Sequence, residues 1–194
     1  MSINLWDMIK KSKNLGVQDL LGKIYSNLGF SQLLDSGRNN AALNEVMKQV
    51  VLMRVLDPCS KLRSSKLLKN YFGKEISYKQ ILTMMDHIAE NEEEIRTRIF
   101  ENLLQGRKSI SLALFDVTTL YFEAITSDDL RDFGYCKDGK FGEVQIVLAV
   151  LSDYDGIPLA YEIFPGHTSE VKAFSHVLEG FMVKHGIQSL NVFR

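Results

Sequence analysis

Apolar residues in the first hundred positions recur three and four apart, the spacing of one helix face. Val17, Leu20, Leu21, Ile24, Tyr25 and Leu28 keep it, and Gly29 stands where a left-handed C-terminal cap is wanted. Leu43, Val46, Met47, Val50, Val51 and Val55 repeat the pattern until Asp57-Pro58, where proline excludes its predecessor from helical geometry. Ser60 caps a third helix running to Tyr71 or Phe72, with Leu62, Leu67, Leu68 and Tyr71 as its apolar side and Gly73 as its stop. Ser77 and Gln80 form a capping-box pattern ahead of Ile81, Met84, Met85 and Ile88. Asn91 followed by Glu92, Glu93 and Glu94 opens a fifth helix, carrying Ile95, Ile99, Phe100, Leu103 and Leu104 and ending near Gly106. The methionines read as core filling, and His87 as a surface or satisfied histidine.

From Ile110 the period changes to two. In ISLALFDVTTLYF, Ile110 to Phe122, one face takes Ile110, Leu112 and Leu114 and the other takes Ala113 and Phe115, so a strand fit for burial on both faces is expected to end at Asp116. A carboxylate does not belong inside such a strand unless it is paired or holds a metal. Asp116 therefore either caps a turn through Val117 and Thr118 or stands at the mouth of a cleft. The polar segment EAITSDDLRDFGYCKDGKFG reads as an extended loop with one helical turn around Asp128 to Phe133. Val144 to Leu151 and Ile157 to Phe164, joined through Asp155-Gly156, predict an antiparallel hairpin. After Pro165-Gly166, Thr168 or Ser169 caps a helix lined by Val171, Phe174, Val177, Leu178, Phe181 and Met182 and closed at His185-Gly186. Ile187 to Phe193 begins a last short strand.

Composition adds limits to this pattern. With 194 residues, 45% of them hydrophobic, the chain can bury a real core, and a net charge of −1 supplies no global field for nucleic acid. Any DNA affinity must come from local patches. The strongest lies between Asp57 and Glu75, where Lys61, Arg63, Lys66, Lys69 and Lys74 accumulate without an acid among them. It reads as a phosphate-holding surface or as a solvated helix face. Lys10, Lys11 and Lys13 make a weaker cluster. Cys59 and Cys136 lack zinc-binding spacing, the N-terminus lacks a signal-peptide core, and no apolar run approaches ~20 residues, so a cytoplasmic protein without a membrane span is expected.

Several stretches in order narrow the reading. LDPCSKL, FDVTTLYFEA, DDLRDFGYCKDGKFGEVQIVLAVL and DGIPLAYEIFPGHTSEVKAF resemble the DDE transposases of bacterial insertion sequences, in the insertion-sequence-four superfamily. The resemblance implies a mixed fold, α+β or α/β: a helical, DNA-binding domain over 1–107, then the first half of a ribonuclease H-like catalytic domain over 108–194, in the order strand, strand, strand, helix, strand. It makes Asp116 the first of three catalytic acids and a ligand of Mg2+, which serves in-line displacement at phosphorus. It makes Lys137 and Lys140 candidates for phosphate contact, with solvated loop lysines as the alternative. Thr118 and Thr119 are read as orienting the backbone around Asp116, and His167, where the family often has asparagine, is not read as catalytic.

The same resemblance leaves two acids to find. Glu123, Asp138, Glu143 and Asp153 do not occupy the family positions, and the second aspartate is due directly after the strand at Leu190 to Phe193. The expectation is an N-terminal transposase fragment, inactive in strand transfer by itself, its partners being insertion-sequence DNA ends and either the C-terminal remainder or an intact transposase. The other readings are a DNA- or transposase-binding regulatory fragment and a non-functional remnant. A last strand with an open edge and bare apolar faces is expected to favour self-association or a partner fragment.

Overall fold

The computed structural model describes residues 5–35, 40–104, 112–123, 126–134 and 143–193. The chain divides into two compact units, Met1–Gln105 and Gly106–Arg194. The first is helical throughout: α1 (Leu5–Asn27), a 3-10 turn (Phe30–Gln32), α2 (Ala41–Leu56), α3 (Lys61–Phe72), α4 (Tyr78–Glu90) and α5 (Glu92–Leu104). Its core joins Leu34, Met53, Leu68, Ile81 and Met84 with Tyr25 and Ile95.

The caps fall where hydrogen-bonding chemistry puts them. Ser60 Oγ accepts from Arg63 N at 3.2 Å, and Gly73, at φ 68°, takes the left-handed cap of α3. Ser77 and Gln80 bond reciprocally, Gln80 N to Ser77 Oγ at 3.2 Å and Ser77 N to Gln80 Oε1 at 2.9 Å. Asn91 works in both directions: its backbone oxygen accepts from Ile95 N, opening α5, and its side-chain amide donates to His87 O, closing α4. His87 is satisfied, its Nε2 lying 3.2 Å from Leu34 O.

The extent and facing of two helices differ from expectation. α1 begins at Leu5, ahead of the apolar stripe that opens at Val17, and runs through Gly16 to Asn27. Its expected apolar stripe is split, with Tyr25 buried and Val17, Leu20 and Ile24 exposed. In α2 the buried arc is carried by Val46, Met47, Val50, Leu52 and Met53, leaving Val51 and Val55 outside. Both helices carry apolar residues around more than one arc, so the 3.6-residue period alone does not select the packed one. Leu62 and Met85 are exposed for the same reason.

The second unit is a mixed sheet with one helix. β1 (Leu112–Phe122), β2 (Val144–Asp153) and β3 (Pro158–Pro165) pair antiparallel in succession, α6 (Glu170–His185) follows, and β4 (Asn191–Phe193) returns parallel to β1. The order across the sheet is β3-β2-β1-β4. Ser169 Oγ accepts from Lys172 N and Gly186 closes α6 at φ 62°. In the hairpin turn Asp153 Oδ1 accepts from Ile157 N at 2.8 Å, while Gly156 supplies the positive φ.

Four expectations are corrected here. β1 does not end at Asp116 but runs on to Phe122. Nor are both its faces buried: Ala113 and Phe115 lie under α6, with Phe115 edge-on to Phe174 at 5.0 Å between centroids, while Leu114 and Leu120 are exposed. The segment at Asp128 forms no helical turn. Its Oδ1 accepts from Leu130 N and Arg131 N, an Asx turn, and Asp132 then bridges to Gln145 at the start of β2. On α6, Val171 is exposed and Ala173 takes the buried place. Among the described residues no helix is long and apolar enough to cross a membrane.

Substitutions on the two sides of α2 check which arc is packed. Met53→Ala, at a fully buried site, is expected to cost about 3 kcal/mol in urea unfolding, whereas Val55→Ala, at a site 63% exposed, should stay within about 0.5 kcal/mol. Equal losses would contradict the facing described.

Candidate functional site

Alternation along β1 decides where its acid points. Ala113, Phe115, Val117 and Thr119 share the α6 side, so Leu114, Asp116 and Thr118 share the other. Asp116 stands opposite Val150 of β2 and is exposed. Among the described residues its carboxylate has no ion-pair or hydrogen-bond partner. A charge in mid-strand is tolerable there because it keeps its water.

The neighbouring acids do not converge on it. Asp153 lies opposite Ala113, on the α6 side, and is used in the hairpin turn. Glu123 is exposed just beyond β1, and Glu143 is half-buried just before β2. Asp138, Lys137 and Lys140 lie outside the described residues. Among the described residues no three histidine, cysteine or acidic side chains gather as a metal-sized group. A paired-ion centre takes several hard oxygen ligands, and the described residues gather no such group around Asp116.

The α6 side holds a different arrangement. A cavity of about 370 Å³ is lined by Val117, Thr119, Gln145, Val147, His167 and Ser169 among others. His167 Nδ1 lies 2.8 Å from Asp132 Oδ2, and Gln145 Nε2 donates to Gly166 O at 2.7 Å. Glycine is required at Gly166, since a Cβ there would come within 2.3 Å of the Asp132 and Gln145 carbonyl oxygens. These contacts fasten the polar segment to the β3–α6 turn. Arg131 N–H, then the Arg131 guanidinium and Leu130 N–H, hold the Asp128 carboxyl at about 2, so the Asx turn keeps its charge until the pH falls towards that value. Because the cavity and Asp116 occupy opposite faces of one sheet, His167 does not act on a group bound at Asp116. No periodicity or motif in the sequence links Asp132 to His167.

In the helical unit the basic cluster is partly neutralised. Lys69 pairs with Glu75, and Lys74 Nζ lies 3.0 Å from Glu45 Oε1. The Glu75 carboxylate raises the Lys69 pKa and is itself lowered by the ammonium, both groups remaining exposed. Lys61, Arg63 and Lys66 have no ion-pair partner among the described residues. Arg63 and Lys66 project from the side of α3 opposite Ser64, Leu68 and Phe72, which are buried. The stretch lacks acids in sequence, yet Glu45 reaches it from α2.

No family model matches the chain, and neither a curated protein nor a solved structure does.

Two substitutions separate structural from functional roles in the sheet unit. Asp116→Asn is expected to change unfolding free energy by no more than about 0.5 kcal/mol, since the carboxylate is exposed and has no partner among the described residues. Gly166→Ala is expected to cost about 2–3 kcal/mol by forcing backbone apart. A large loss from Asp116→Asn would mean that the acid is structural.

Proposed function

We propose that these residues form the leading part of a DDE-type DNA transposase, the helical unit holding DNA and the sheet unit, of ribonuclease H-like kind, contributing the first of three catalytic acids at Asp116. The observation that carries the reading is an exposed carboxylate in mid-strand, without a partner among the described residues, on the sheet face away from α6. The strand order β3-β2-β1-β4 with β4 parallel to β1 supports it at the level of architecture.

The β4 register supports it further. Leu112, Ala113 and Leu114 face Asn191, Val192 and Phe193 in turn, so two steps past Phe193 the same ladder reaches the position beside Asp116. The resemblance puts the second aspartate directly after this strand. Two carboxylates on adjacent strands at one level of the sheet are what a shared Mg2+ needs. In this reading the second and third acids come from polypeptide outside these residues, and the substrate is the DNA at an insertion-sequence end.

A second reading has its own observation. Lys61, Arg63 and Lys66 on α3 have no ion-pair partner among the described residues, which fits a fragment that binds DNA, or the intact transposase on DNA, without chemistry.

Mixing the chain with a polypeptide carrying the remainder is expected to yield magnesium-dependent cleavage at the element's end, abolished by Asp116→Asn; cleavage indifferent to that change would remove Asp116 from the chemistry. Duplex binding over a salt series tests the helical unit. Replacing Lys61, Arg63 or Lys66 by Ala should each lower the log–log salt slope by about 0.9. Lys69→Ala and Lys74→Ala should lower it less, because their charges are already matched by Glu75 and Glu45. Affinity indifferent to salt would exclude phosphate binding by this face.

A further inference from the structure

The row of the sheet that holds Asp116 also holds an aromatic ring. Asp116 stands opposite Val150 on β2, and Val150 stands opposite Tyr161 on β3, so the three side chains share the face away from α6. At ~4.8 Å per strand, the backbones at Asp116 and Tyr161 are about 10 Å apart across the row. Tyr161 is 38% exposed, and Val150 between them is small and half-buried.

The rest of that face decides what kind of molecule the row suits. Asp116 carries the only charge there among the described strand residues, and its surroundings are Leu114, Thr118, Leu120, Leu148 and Ile163. A phosphate laid on this face meets no cation of the sheet and is repelled by Asp116 unless a metal ion lies between them. A base meets an apolar surface and a ring, and stacking on an aromatic side chain suits any base, because every base has a π-face. The row therefore suits a nucleotide whose phosphate reaches the acid through an ion while its base lies on the ring. Spacing sets the conformation: about 10 Å is some three times the ~3.4 Å rise per nucleotide of a stacked strand. A base beside that phosphate reaches Tyr161 only after leaving the duplex stack.

We infer that Tyr161 contacts the substrate, its ring stacking on a base next to the scissile phosphate once that base has swung out of the duplex. The inference rests on the reading of Asp116 as a metal ligand and adds to it a substrate contact on a different strand.

The test uses the full chain mixed with the polypeptide carrying the remainder, and an element-end duplex with 5-iodouracil on either side of the scissile phosphate. With Ca2+ in place of Mg2+ to hold cleavage off, irradiation should join one of these bases to Tyr161 in the parent protein, as identified by peptide mass. In Mg2+, Tyr161→Phe keeps the ring and should cleave like the parent. Tyr161→Leu keeps apolar bulk without the ring and should lower kcat/KM about tenfold. A mismatch at the stacked base, which is already partly unstacked, should restore most of that loss. A cross-link to another residue, equal loss in the Phe and Leu variants, or a loss that the mismatch does not restore would each overturn the assignment. Cleavage indifferent to Tyr161→Leu would overturn it and leave Asp116 in place, whereas absence of cleavage by the parent mixture would overturn both.

Discussion

The two-residue period of β1 is the constraint on which the sheet unit depends. One strand must give Ala113 and Phe115 to the core beneath α6 and, one residue on, carry a carboxylate that no described group neutralises. Both are possible only because successive side chains leave a strand on opposite faces. Desolvating Asp116 would cost several kcal/mol, so the face that bears it stays open, and Leu114, Leu120, Tyr161 and Ile163 stay partly exposed around it.

The helical unit resolves its polar groups differently. Asn44 is buried in α2 and tied to Leu34 and Asp35, so the loop after the 3-10 turn is fastened to the helix by hydrogen bonds as well as by the packing of Leu33 and Leu34 in the core. The same helix sends Glu45 to Lys74, which removes one cation from the basic face that begins on α3. Electrostatic character here is set by which helices meet, and what remains for a polyanion is narrower than the run of lysines suggests.

Where local chemistry decides, the sequence was legible. Ser60, Ser77 with Gln80, and Ser169 cap the helices they were read to cap, and Asp155-Gly156 turns the hairpin. Facing was less legible: Val51, Val55, Leu20 and Ile24 fit the helical period but lie outside the core, because hydrophobic residues on several arcs leave the choice to tertiary contacts. Asp116 was read as ending its strand, on the premise that both faces were buried; its hydration on an open face lets the strand continue. The Asp132–His167 contact joins residues distant in sequence and leaves no local pattern.

The central claim is that the Asp116 carboxylate is a ligand of a catalytic divalent ion. A metal-preference switch in the reconstituted cleavage reaction tests it most directly, since a thiolate binds magnesium poorly and softer ions well. Asp116→Cys should be inactive with Mg2+ and regain cleavage with Mn2+. Equal loss of activity in both metals, or full activity in Mg2+, would contradict metal ligation by this side chain.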